Sequence, residues 1–205
     1  MTYPRILPVG RSALLVELAD LDAVQALHHS LTTDHIDGTT EIVPAARTVL
    51  VAFDPRLVSA ELLAEAVRSR DPAPLSRTAG ESIEVPVTYG GPDLAAVAEL
   101  AGLSEQEVVR RHSGGDYRVA FCGFAPGFGY LVGGDPALRV PRRETPRVRV
   151  PGGSVAIADE FTAVYPRDSP GGWQLLGHTE LELWHSDRPN PALLAPGDRV
   201  RFREA

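Results

Sequence analysis

Tyr117-Arg118-Val119-Ala120-Phe121-Cys122 sets Tyr117, Val119 and Phe121 in alternation with Arg118, Ala120 and Cys122, the period of two that marks a strand. From residue 115 to the end no helical periodicity returns. Short extended runs are separated by glycine and proline instead, which argues for a barrel or sandwich rather than a parallel sheet. Upstream, Ser82 to Tyr89 reads as a strand, Pro92 as the first residue of a helix with Leu94, Val97 and Leu100 on its face, and Gly102 as its stop. Ser104-Glu105-Gln106-Glu107 is a capping box that opens a second helix ending near His112.

The first eighty residues follow another rhythm. Ala13 to Leu18 reads as a strand, and Leu21, Val24, Leu27 and Leu31 recur at helical steps. Thr48 to Phe53 is a buried-strand run closed by Asp54-Pro55. A helix from Ser59 as N-cap is expected to turn Leu62, Leu63, Ala66 and Val67 inward. Two strand-helix-strand units suggest a small sheet with helices on one face, in the split βαβ manner. Asp71 to Gly80 breaks every periodicity, so the expected domains are 1–75 and 82–205.

Composition narrows the chemistry. The chain has 205 residues and a net charge of −7. Every one of its 20 basic residues is arginine, so a lysine-bearing phosphate loop, Schiff-base catalysis and a lysine-bound prosthetic group are excluded within this polypeptide. The six histidines lack metal-site spacing, and an acidic chain without a basic stripe argues against nucleic acid. A single cysteine agrees with a reducing compartment. No apolar run suits a bilayer, and Met1-Thr2-Tyr3-Pro4-Arg5 has no secretory pattern, so the expected address is cytoplasmic.

Against that acidic background Arg139 to Arg149 holds five arginines and one acid, Glu144, which points to an anionic partner. Arg142 and Arg147 flank the rigid Thr145-Pro146 turn and can fork onto carboxylate or phosphate. Arg147-Val148-Arg149-Val150 also reads as an alternating strand whose arginines face water. Next, Pro151-Gly152-Gly153-Ser154 could aim amides and a hydroxyl at an oxyanion, or be an ordinary hairpin turn. A second loop, Asp168-Ser169-Pro170-Gly171-Gly172-Trp173-Gln174, adds an aromatic ring that could stack a planar ligand or plug a barrel end. The loop Phe121 to Leu131, with Phe124, Pro126, Gly127 and Tyr130, concentrates apolar surface suited to a pocket or a partner. His112 sits at a helix C-terminus, where the dipole favours its charged form, and is either an acid-base candidate or a satisfied structural histidine. Cys122, between phenylalanines, reads as a small buried apolar residue.

Gly123-Phe124-Ala125-Pro126-Gly127-Phe128, Thr145-Pro146-Arg147, Pro151 to Ala158 and Ser169 to Gly177, in this order, closely resemble the family of the 5-oxoprolinase B subunit. That family is also labelled allophanate hydrolase subunit 1 and includes a KipI-type inhibitor of a sporulation histidine kinase. Gly10 to Glu17 and Val85 to Leu94 extend the resemblance over nearly the whole chain. Asp159 stands where the family commonly has glycine, and Phe161 where glutamine is frequent. The resemblance implies an α+β chain, with a ferredoxin-like domain followed by a cyclophilin-like β-barrel. It further implies an obligate partner, the 5-oxoprolinase C subunit, a heterotetramer with it, and a third component, the A subunit. The whole opens 5-oxoproline to glutamate with ATP. The serine-serine-lysine triad of an amidase is excluded by the missing lysine.

Combined with the residue types, this gives the expected site. Arg147 and Arg142 hold the carboxylate or phosphate, Gly153 and Ser154 donate to an oxyanion, and His112 is the acid-base candidate. Phe124, Pro126, Gly127, Tyr130, Thr145, Ser169, Gly172, Trp173 and Gln174 line the cleft. No metal site is expected, and ATP is held by this chain or by its partner. The alternative is a binding module that docks on a histidine kinase through the barrel surface.

Overall fold

The computed structural model describes residues 4–70 and 82–205. The chain divides into two compact units, Met1–Arg77 and Thr78–Ala205. The break expected at Asp71 to Gly80 lies outside the described residues.

The first unit runs β1 (Arg5–Val9), β2 (Ala13–Glu17), α1 (Leu21–Thr33), β3 (Thr39–Pro44), β4 (Thr48–Phe53) and α2 (Ala60–Arg68). Its sheet has the order β1-β2-β4-β3, antiparallel throughout. Alternation sends Leu14, Val16, Val49, Val51 and Phe53 to one face. Val24, Leu27 and Leu31 of α1 and Leu63, Ala64 and Val67 of α2 pack on that face in a single core. Burying each larger side chain contributes roughly 1.5–3 kcal/mol. Asp20 accepts from the Ala23 amide at 2.9 Å and Ser59 from Leu62 at 3.2 Å, which fixes where both helices start. The face of α2 is rotated from expectation: Leu62 is exposed, and Ala64 takes the buried place given to Ala66. Among the described residues the first unit holds one split βαβ unit, β2-α1-β3 around β4, rather than two. The position beside β2 that a strand after α2 would fill in a ferredoxin-like order is occupied by β1.

The second unit runs β5 (Ser82–Tyr89), α3 (Leu94–Ala101), α4 (Glu105–Ser113), β6 (Tyr117–Cys122), β7 (Gly129–Val132), a 3₁₀ turn (Pro136–Leu138), β8 (Arg147–Val150), β9 (Ser154–Ala158), β10 (Phe161–Val164), β11 (Ser169–Gly171), β12 (Gln174–His178) and β13 (Arg199–Glu204). Seven strands close a barrel in the order β10-β7-β6-β13-β5-β12-β9, with β13 parallel to β5 and the other pairs antiparallel. On β5 and β13, Val85, Val87, Val200 and Phe202 face the core between exposed neighbours. β9 is buried on both sides. Val155 and Ile157 serve two inner clusters, and Ala156 and Ala158 face a third cluster made by Phe128, Tyr165 and Trp173.

β8 and β11 form a separate two-stranded ribbon. There the expected alternation fails, because Val148 is 92% exposed while Arg147 is partly buried. Helix α3 starts at Leu94 with Asp93 as N-cap, so Pro92 precedes the helix, and Ala98 rather than Leu100 completes the buried face. Gly102 ends α3 at φ +65°, as a left-handed cap requires. Ser104 caps the Glu107 amide at 3.2 Å, but the Glu107 carboxylate turns to Arg110 and Arg111 instead of reaching back.

Candidate functional site

The arginine run is largely neutralised by acids distant in sequence. Asp93 is 2% exposed. Its carboxylate accepts two bonds from Arg147 at 2.8 and 2.9 Å, one from Arg143 at 2.7 Å and one from the Leu175 amide at 2.8 Å. Burial pushes the Asp93 acid up, but Arg147, the Leu175 amide and Arg143 together outweigh it and hold the group below its usual range. Arg149 pairs with Asp168 at 2.6 Å. The expectation that Arg147 grips a ligand is therefore corrected: its fork is spent on Asp93. Arg139 and Arg142 make no ion pair among the described residues. The exposed Arg142 guanidinium lies 6.0 Å from the Trp173 ring centroid.

The first glycine loop is closed as well. Gly152 donates to Asp168 at 2.9 Å, Gly153 to the Tyr165 carbonyl at 2.7 Å and Ser154 to the Pro151 carbonyl at 3.3 Å. Ser154 is 5% exposed. The amides of Gly152, Gly153 and Ser154 all have acceptors within the protein, so the free backbone donor expected at Gly153 is taken.

The second glycine loop lies against an aromatic cluster. Trp173 is buried and meets Phe128 edge-on at 5.7 Å and Tyr130 at 5.7 Å. Phe128 also packs on Tyr165 at 5.3 Å and on Phe124 at 5.2 Å. Phe124 has φ +68° and is 58% exposed, so the loop holds a phenylalanine out toward solvent in a conformation that costs about 1–3 kcal/mol. Burial pushes the Tyr165 phenol up, against the opposing pull of Arg142. The same balance acts on Tyr130, placing Arg142 near both rings. A Cβ on Gly171 would fall 2.3 Å from the Tyr165 hydroxyl, so only glycine fits there.

Segments 141–143 and 172–174 are joined by Arg143 N to Gly172 O at 2.8 Å and by Gln174 Nε2 to Pro141 O at 3.1 Å. Thus the structure brings Arg142, Gly172, Trp173, Gln174, Tyr130 and Phe124 to one neighbourhood. Pro126 and Thr145 are exposed, Gly127 lies against Leu183 and Trp184, and Ser169 is buried with its hydroxyl on the Arg167 carbonyl at 3.1 Å.

His112 stands apart from this neighbourhood. It is fully buried, with Nδ1 2.7 Å from the Tyr89 hydroxyl and Nε2 3.0 Å from Thr162 Oγ1. Thr162 gives its proton to the Ala156 carbonyl, so it can only accept from Nε2–H, and Nδ1 accepts from Tyr89. Burial lowers the His112 pKa to about 3. The ring is neutral, which corrects the charged form expected from the helix dipole: loss of hydration outweighs the dipole. Cys122 is partly buried beside the Leu194 carbonyl at 3.7 Å, with its thiol pushed up by burial to about 11, so it is no nucleophile.

Asp93 and Tyr165 were missed by sequence reasoning. Asp93 pairs with residues 50 and 54 positions away, outside any local window. Tyr165 carried no motif, although its neighbour loop did. Among the described residues no group of three or more His, Cys, Asp or Glu could hold a metal ion, and no helix is long and apolar enough to cross a membrane.

Residues 4–194 match the family model for the carboxyltransferase domain, subdomain C and D. A relative from Escherichia coli O157:H7, named as the B subunit of 5-oxoprolinase, is 39% identical over 98% of this chain and 96% of its own length. The crystal structure of TTHA0988 superposes with a TM-score of 0.78 at 37% identity, covering 94% of this chain and 40% of that one. The crystal structure of the K. lactis urea amidolyase shares the fold, with a TM-score of 0.78 at 19% identity over 98% of this chain and 15% of its own. With a family model spanning most of its length and a relative that matches it end to end, the chain belongs to the carboxyltransferase subdomain C and D family that includes the 5-oxoprolinase B subunit.

Proposed function

We propose that this chain is the B subunit of an ATP-dependent 5-oxoprolinase, a non-self-sufficient component that acts with the C and A subunits to hydrolyse 5-oxo-L-proline to L-glutamate. The observation that carries the reading is the end-to-end match to a relative bearing that name. In this reading the face built by Arg142, Trp173, Tyr130 and Gln174 forms part of the substrate site, completed by the C subunit in a cytoplasmic heterotetramer. Arg142 has the chemistry for it: an exposed guanidinium without an acidic partner among the described residues, held over an indole and able to meet the substrate carboxylate. Arg147 and Arg143 are then positioning residues, whose ion pairs to Asp93 fix the backbone on either side of the Thr145-Pro146 turn, next to Arg142. The first unit is a permuted relative of the ferredoxin-like plan, and the second is a cyclophilin-like barrel.

Neither a lysine-bearing phosphate loop nor, among the described residues, an open glycine-loop cradle is offered by this chain for a nucleotide phosphate. There is no lysine in the sequence, and the Gly152–Ser154 amides already have acceptors. ATP is accordingly assigned to the partner proteins. The test is ATP-dependent glutamate formation from 5-oxoproline by this chain alone, with the C subunit, and with the C and A subunits together. Activity only in the full mixture is expected. Its absence from a folded, associated mixture overturns the reading.

A further inference from the structure

The two segments joined at Gly172 and Pro141 each carry a buried polar atom that has no hydrogen-bond partner: Gln174 Oε1 and Arg143 Nε. Gln174 is 5% exposed. Its amide orientation follows from the bond to the Pro141 carbonyl, which only the NH₂ group can donate, so the atom left over is the oxygen. The pair consists of one acceptor and one permanently protonated donor. Each such group is destabilising while unmade. Buried polar groups in folded proteins are nearly always satisfied, so two complementary exceptions on adjoining segments call for a ligand that satisfies both.

We propose that Gln174 Oε1 and Arg143 Nε read the two faces of a lactam amide, and that Gln174 is the residue that makes the site specific for a ring N–H. A lactam is held cis, so its N–H and C=O project to the same side of the ring. The N–H donates to Gln174 Oε1 and the C=O accepts from Arg143 Nε. A carboxylate on the same ring then meets Arg142, the residue between Pro141 and Arg143, with the ring against the Trp173 cluster. An open-chain trans amide presents its donor and acceptor on opposite sides and cannot serve both atoms. Both atoms are closed to solvent in the free chain, so the ligand displaces side chains on entry. Arg142, exposed and without an ion-pair partner among the described residues, is the one free to move. The inference rests on the 5-oxoprolinase reading and adds to it the group that recognises the lactam nitrogen.

The experiment is a calorimetric titration of the assembled three-component complex, without nucleotide, with 5-oxo-L-proline and with 3-oxocyclopentane-1-carboxylate, in which a methylene replaces the ring N–H. The wild-type complex is expected to prefer the lactam by about tenfold or more, since the methylene leaves a buried acceptor unpaired. Gln174→Leu is expected to erase that preference while binding the methylene analogue at least as well as the wild type does. Equal affinities in the wild type, no binding of the lactam, or a preference that survives Gln174→Leu overturns the proposal. If Gln174→Leu does not fold, as judged by its thermal transition, the wild-type pair of ligands decides alone. Glutamate formation with ATP, measured in the same preparations, separates the outcomes: turnover without lactam preference removes only the role of Gln174, and no turnover removes the parent reading too.

Discussion

Pro151-Gly152-Gly153-Ser154 and Pro170-Gly171-Gly172-Trp173 are nearly the same motif in sequence, and the fold uses them in opposite ways. In the first loop every amide from Gly152 to Ser154 finds an acceptor within the protein, and Gly153 adopts φ +79° against Thr179 and His178. In the second, Gly171 makes room for the Tyr165 hydroxyl and Gly172 gives its carbonyl to Arg143. Two residues on, Gln174 keeps an unpartnered oxygen. The difference lies in what the rest of the chain brings nearby. Asp168 and Tyr165 close the first loop, whereas the second faces an arginine without an acidic partner among the described residues. A glycine pair before a polar residue therefore states flexibility, and only the surrounding acceptors decide whether its amides remain available to a ligand.

The largest test of this contrast is removal of the anchor that holds the second loop's neighbour. Asp93→Ala leaves Arg143 and Arg147 without their buried counter-ion, and urea denaturation is expected to show a loss of about 3–5 kcal/mol. A change below about 1 kcal/mol would mean that the 141–147 segment is held by other contacts.

A second test concerns His112, which a site-based reading would have made functional. The free imidazole takes its proton near 6.5, while the buried ring does so only near 3. Between those values the unfolded chain binds the extra proton, so stability falls as pH is lowered from about 6.5, with a limiting slope of about 1.4 kcal/mol per pH unit. His112→Gln keeps a donor and an acceptor for Thr162 and Tyr89 and is expected to flatten that slope. An unchanged slope would assign the acid sensitivity elsewhere.

The closed loop can also be broken directly. Gly153→Ala puts a methyl group 2.4 Å from the Thr179 carbonyl oxygen at a positive φ, and a loss of about 1–3 kcal/mol in urea is expected without a change in lactam affinity of the complex. If affinity for 5-oxoproline falls instead, the first loop belongs to the site after all. The smallest effect on stability is expected for Arg142→Ala, within about 0.5 kcal/mol, because the residue is exposed and has no acidic partner among the described residues.

Much of the fold was legible because its signals are local. Thr48 to Phe53 and Ser82 to Tyr89 read as strands from their own residues and have those bounds in the structure. Ser59 marks the end where α2 begins, although Leu62, expected inward with Leu63, is exposed because the face that packs on the sheet is set by tertiary contact, which no local pattern encodes. The site was legible only in part. Its loops were found from glycines and aromatics, and Trp173 is buried among Phe128, Tyr130 and Tyr165 while still offering a face to Arg142. Which arginine stays available could not be read, because Asp93 and Asp168 are brought to the run by the barrel. Asp159, at φ +51° in the turn between β9 and β10, holds a conformation that glycine adopts most freely, which agrees with the glycine that the resemblance implies there.

Of the two arginines that flank the Thr145-Pro146 turn, the proposed reading assigns the substrate carboxylate to Arg142, because Arg147 is paired with Asp93. Steady-state kinetics of the assembled complex with Arg142→Ala decide between them. The expected result is a KM for 5-oxoproline raised about tenfold or more, with the thermal transition of this chain unchanged. An unchanged KM and kcat in a complex that carries Arg142→Ala would contradict the assignment.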